Sequence, residues 1–262
     1  MPKGISSQYI SKNIAGSDDA LRSIIASWGE NSCELSLVFV LASLPGYESP
    51  PGLSKLKRLE LAGKWTEEFE TFSQSNVFGV KNKNVTLGVH SVCHNLYTEL
   101  TAADLELEID TVLAFIENNP TFSRLFVFPK NLSMVSAIEK YAKYFDKVRV
   151  NSRSWLYRSN LAGVSRLKRG LRYLDSFFPI YELFCDKSPE LDVPNCTVGT
   201  HFFRANLSGW LLSVHVARLR FGIKQLNRQG YGAHVWSHPH NFVGNDVAIR
   251  QFFELGKVIN HG

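Results

Sequence analysis

Four segments that read as strands, separated by segments with helical periodicity, restrict the fold of this chain more than any other feature. They are Leu35 to Ala42, Val85 to Val89, Leu125 to Phe128 and Lys147 to Val150. The first, Leu-Ser-Leu-Val-Phe-Val-Leu-Ala, has the composition of a strand buried on both faces of a parallel sheet. Before it, Leu21, Ile24, Ile25 and Trp28 recur at helical spacing, with Ser17 or Asp18 to cap the start and Gly29 to stop it. A Pro/Gly loop from Pro45 to Gly52 and a charged segment from Leu53 to Ser75, suited to one or two helices, lead to the second run. Thr101 and Asp104 make a capping-box start for a helix whose apolar face is Leu105, Ile109, Val112, Leu113 and Ile116. Ser133 caps another helix that reaches about Tyr144. Strands alternating with crossover helices predict an α/β fold with parallel strands, either open or closed into a barrel.

The remainder of the chain is less periodic. Phe177 to Phe184 is expected to form a strand, Cys185 to Asn195 a loop, Leu207 to Gln229 a long helix ended by Gly230, and Asn245 to Val258 a closing helix. At 262 residues and 44% apolar content the chain can bury a sizeable core, and a single domain over 1–262 is expected. No run approaches the roughly 18 apolar residues of a membrane span, so no transmembrane segment is expected. The start, Met1 to Ser7, carries no apolar signal core. Cys33, Cys93, Cys185 and Cys196 have no framework spacing, which suits a reducing cytoplasm. The formal charge of +5 is dispersed except at Arg166, Lys168, Arg169 and Arg172. That cluster is the solvated face of a helix and not a nucleic-acid footprint. The basic balance is compatible with a membrane surface without demanding one, and the oligomeric state is not fixed.

In parallel α/β folds functional groups gather at the carboxyl ends of strands. Three polar punctuations fall there: His90 to His94, Pro129 to Asn131, and His238 to Asn241. Neutral imidazole is the commonest ligand of a divalent metal, and a catalytic zinc-type site uses three protein ligands and an open position. His90 and His94 supply two of the three, although His-x-x-x-His spacing alone is a weak signal in a chain with eight histidines. Cys93, between them, is expected to be a small side chain packed beneath the loop. In the last stretch, strand alternation puts His234, Trp236 and His238 on one face and Ala233, Val235 and Ser237 on the other. His238 is then at the cleft, Trp236 lines the layer below, and His234 is an interior histidine. His240 stays open. His201, after a Gly-Thr turn, and His215, mid-helix, read as structural.

On these residues the chain resembles the metal-dependent polysaccharide deacetylases, the NodB-like family or carbohydrate esterase family four. It looks most like the branch associated with bacterial O-antigen and other surface-polysaccharide clusters. The resemblance runs from about Ala20 to Val258. It is carried by Leu87-Gly88-Val89-His90-Ser91-Val92-Cys93-His94-Asn95, by Phe126 to Asn131, and by His234 to Asn241. It implies a distorted (β/α) barrel and a divalent metal, zinc by preference, held by His90 and His94. It also implies that His238 protonates the departing amine as an N-acetylated sugar loses its acetyl group. Pro129 and Asn131 would shape the substrate cleft with Trp236, and Lys130 stands where the family carries Arg, keeping the charge but losing the bidentate fork.

The family's first strand, which ends in paired aspartates serving as base and third ligand, has no counterpart here. Asp18 and Asp19, the one early acidic pair, precede a helix and are explained as its cap. Three accounts follow. The chain is an N-terminally shortened enzyme, a degenerate carbohydrate-binding or assembly protein on the same scaffold, or an enzyme completed by another carboxylate such as Glu99, Asp104 or Asp175. The expected function is therefore metal-dependent N-deacetylation of a sugar in surface-polysaccharide synthesis, with the non-catalytic binding protein as the alternative. An amide hydrolase acting on cyclic amides or urea-like compounds is a third class.

Overall fold

A computed structural model describes residues 22–26, 28, 34–40, 84–92, 100–129, 135–150, 156–157, 165–181 and 195–259. Residues 22–26 and 28 are helical (α1) and turn Ile24, Ile25 and Trp28 into the core, the face expected from their spacing. Strand β1 is Leu35–Val40, β2 Val85–Ser91, β3 Phe122–Val127, β4 Lys147–Val150 and β5 Cys196–Val198. They pair in the order β1-β2-β3-β4-β5, every neighbour parallel, as a curled half-barrel sheet. Helix α2, Ala102–Asn118, crosses from β2 to β3, and α3, Val135–Tyr141, with the 3-10 turn Ala142–Tyr144, crosses from β3 to β4. Helix α4 is Arg166–Leu174, α5 Gly209–Arg228 and α6 Asp246–Ile259. The expected α/β class with parallel strands and crossover helices is what forms.

Two short strands, β6 (His201–Phe202) and β7 (Val235–Trp236), form a second parallel pair. Only Gly199 and Thr200 separate β5 from β6, and the Gly199 N–H still donates to the Val150 carbonyl of β4 at 3.1 Å. One bent segment thus pairs with β4 in its first half and with β7 in its second. The curl is thereby extended by one strand.

Local chemistry sets the element ends. The Thr101 hydroxyl accepts the Asp104 N–H at 3.2 Å and Asp104 accepts the Thr101 N–H at 3.3 Å, completing the capping box. Helix α5 ends where Gly230 adopts φ +77°, a left-handed conformation suited to glycine. Asn245 starts α6: its side chain accepts the Ala248 N–H and donates to the carbonyls of Ala205 and Leu207, tying the helix to the β6–α5 connection.

The structure corrects the expected strand at Phe177 to Phe184 over its described part. Residues 177–181 form turns and the start of a helix. Asp175 accepts the Tyr181 N–H at 2.7 Å, folding the segment back on itself, and Pro179 removes a donor that a strand would need. β2 extends past Val89 to include His90, and β3 begins at Phe122. The Pro45 to Gly52 loop, the charged segment 53–75, the Ser133 cap and most of Cys185 to Asn195 lie outside the described residues.

Candidate functional site

Sheet register sorts the strand side chains into two sets. Leu35 pairs with Val85, Leu37 with Leu87, Leu87 with Phe122, Phe126 with Val148, and Val150 with Val198. All of these are buried in the core that also takes in α1, α2, α5 and α6. Side chains alternate along a strand, so Ser36, Thr86, Gly88 and His90, then Leu125 and Val127, then Lys147 and Arg149, lie on the opposite, inner face.

At the amino end of that face Lys147 donates to Glu34 at 2.6 Å. Burial opposes ionisation of Glu34, but hydrogen bonds from Lys147, Thr86 and Ser36 outweigh it and hold the carboxyl below its ordinary range. Gly88 follows: a Cβ there would lie 2.7 Å from the Leu125 carbonyl oxygen, so β2 and β3 approach where only glycine fits.

Next along β2, His90 is half-buried at the carboxyl end, and its Nδ1 lies 2.8 Å from the carbonyl oxygen of Val127. A carbonyl only accepts, so Nδ1 carries the proton, and in the neutral form of the ring the lone pair is at Nε2. Metal-binding histidines are commonly fixed in this way, by a hydrogen bond at the other nitrogen. The donor chemistry at His90 therefore fits a metal ligand. Among the described residues no group of three or more His, Cys, Asp or Glu side chains gathers to hold an ion. His94 and Cys93 lie outside the described residues, as do Asp18, Asp19, Glu99, Lys130 and Asn131.

Val127 is the register partner of Arg149. Arg149 is only 8% exposed, and burial lowers its guanidinium pKa to about 10. Its guanidinium stands 5.1 Å from the Trp236 ring, in cation–π range. Trp236 meets the His238 ring edge-on at 5.5 Å and Phe202 at 4.5 Å. A continuous path thus runs across the inner face from His90 through Val127 and Arg149 to Trp236 and His238. His90 and Arg149 lie on strands separated by β3.

His238 is exposed, stacks on His240 at 5.3 Å and precedes the 3-10 turn Pro239–Phe242. The turn takes Pro at its first position, where no N–H is missed. Phe203 donates to the Trp236 carbonyl at 2.8 Å and Ser237 to the Phe203 carbonyl at 2.8 Å, fixing the strand that carries both rings. Ala233 and Val235 pack on the core, so the two faces separate as alternation requires. Pro129 follows β3 and is buried.

The other histidines have different work. His234 is half-buried; desolvation, with Arg149 adding to it, drives its pKa down to about 3. His201 is buried with Nδ1 2.9 Å from the Thr200 hydroxyl. His215 is buried on α5, its Nδ1 2.7 Å from the Ser176 carbonyl and its Nε2 accepting the Arg204 N–H at 3.0 Å. Both nitrogens serve the fold, as its mid-helix position suggested.

Two of the carboxylates considered as a base are engaged in structure. Asp104 is an exposed cap. Asp175 is buried, with Arg218 Nη2 at 2.9 Å from both oxygens, the Tyr157 hydroxyl donating at 2.5 Å and the Tyr181 N–H at 2.7 Å.

A third carboxylate was not anticipated. Glu108, fully buried on α2, accepts the Val92 N–H at 2.5 Å and so anchors the backbone where it leaves β2 after His90. Its position is legible in retrospect: with Leu105, Ile109 and Val112 it occupies the apolar face of the helix. Arg149 has a similar signal, a cation alternating with Val148 and Val150 in a four-residue strand.

Comparison with protein-family models, with curated proteins and with solved structures finds no match to this chain.

Proposed function

We propose that this chain is a metal-dependent carbohydrate N-deacetylase whose site lies at the carboxyl rim of the inner sheet face. The observation that carries the reading is the 2.8 Å contact between His90 Nδ1 and the Val127 carbonyl, which aims the lone pair of a strand-end histidine away from its anchor. His90 and His94 would hold the ion, which supplies a polarised water and a Lewis acid for the amide carbonyl. His238, exposed on the rim, would give a proton to the departing amine. Trp236 offers a flat face to a pyranose ring, and Arg149 fixes that face from behind. Pro129 and Asn131 would shape the turn beside it. Glu108 and Gly88 hold β2 in place as positioning residues.

The reading is tested by acetate release from N-acetylated hexosamines, free and nucleotide-linked, with zinc or cobalt added. Activity lost in His90→Ala and on chelation is the expected result; no release with any metal rejects it. A second reading, a carbohydrate-binding protein without catalysis, is favoured by the engagement of Asp104 and Asp175 elsewhere in the fold. It requires sugar binding that survives chelation.

A further inference from the structure

The outer face of α5 has no role in that site. Trp210, Val214, Ala217 and Phe221 are all exposed, and at about 100° per residue they fall in one stripe about 60° wide. Trp210 is 73% exposed and Phe221 44%. A single exposed apolar side chain is ordinary; a stripe with an aromatic at each end, on one helix, marks a contact surface.

Charge identifies what the surface contacts. The helix sequence, Gly-Trp-Leu-Leu-Ser-Val-His-Val-Ala-Arg-Leu-Arg-Phe-Gly-Ile-Lys-Gln-Leu-Asn-Arg, contains no acidic residue. Its exposed cations Arg220 and Lys224 lie along one edge of the stripe, and Arg228 continues it. A groove of about 470 Å³ between α5 and α6 has Arg220, Phe221, Lys224 and Gln251 among its lining residues. Cations beside an aromatic at the mouth of a groove suit a phosphate above an apolar layer. A second copy of this chain would oppose cation to cation, whereas anionic lipid neutralises them.

We propose that α5 docks the protein on an anionic lipid surface, with Trp210 and Phe221 at the headgroup–acyl boundary and Arg220, Lys224 and Arg228 on the phosphates. This rests on α5 alone and is independent of the chemistry assigned to the sheet rim. No helix among the described residues is long and apolar enough to cross a membrane.

The test is co-sedimentation of the full chain with phosphatidylcholine vesicles, with and without phosphatidylglycerol. Binding only to the anionic vesicles is expected. Arg220→Glu with Lys224→Glu should lower vesicle partitioning at least about tenfold. Trp210→Ser with Phe221→Ser should also lower it, while Arg166→Glu with Arg169→Glu on exposed α4 should not. Both α5 double variants change exposed side chains only, so either one alone reads the face. No sedimentation, equal loss in the α4 variant, or a dimer in vesicle-free solution that Trp210→Ser with Phe221→Ser converts to monomer would overturn the proposal.

Discussion

Glu108 of α2 accepts the backbone N–H of Val92 at 2.5 Å, two residues beyond His90. The helix that crosses over β2 therefore holds the exit of the strand that carries the candidate ligand. Glu108→Ala leaves that N–H in a dry interior and should cost about 3 kcal/mol. Glu108→Gln retains an acceptor and should cost less than half of that. Urea unfolding of the two variants separates hydrogen-bond loss from simple truncation.

Gly88 permits the close approach of β2 to β3. A Cβ there meets the Leu125 carbonyl oxygen at 2.7 Å and Leu125 Cγ at 2.8 Å, and backbone cannot yield as a side-chain tip can. Gly88→Ala should therefore destabilise by about 2–3 kcal/mol and should loosen the His90–Val127 contact. A lowered urea midpoint with weakened metal affinity is the expected pair of results.

Asp175 and Arg218 form an ion pair whose side chains are 5% and 3% exposed. Removing one partner strands the other charge, so Asp175→Asn should cost about 3–5 kcal/mol. Arg218→Met alone should cost a similar amount. The double variant should recover part of the loss, a coupling that a double-mutant cycle in urea measures.

Burial lowers the His215 pKa from 6.5 to about 4, against a hydrogen bond to the Ser176 carbonyl and with help from Arg218 and Arg204. Between those values the unfolded chain binds a proton that the folded chain refuses. Stability from this group is complete above pH 6.5 and is lost as pH falls toward 4, with a slope approaching about 1.4 kcal/mol per pH unit. His215→Gln should be less stable at pH 7 yet show a shallower slope from pH 6.5 to 4.5. Chemical denaturation at several pH values checks both.

The elements that could be read from the sequence are those whose signal is local. β4 forms over Lys147–Val150 as expected, and the Thr101–Asp104 box begins α2 because both partners lie within one turn. β5 and β6 were hidden: at three and two residues they carry no period of their own and exist through pairing with β4 and β7. The apolar composition from Phe177 onward suggested a strand, but Asp175 captures the Tyr181 amide and tertiary structure overrides propensity. At the site, strand ends were visible as polar punctuation. The link from His90 to Trp236 through Val127 and Arg149 depends on register across three strands and a cation–π contact to a fourth, which no linear pattern encodes.

The most direct measurement is calorimetric titration of zinc into metal-free protein, parent beside His90→Ala. The parent should bind one ion, and His90→Ala should bind it at least about tenfold more weakly while keeping a native circular dichroism spectrum. Equal affinity in the two proteins, or no binding by the parent, would contradict the assignment of His90 as a ligand.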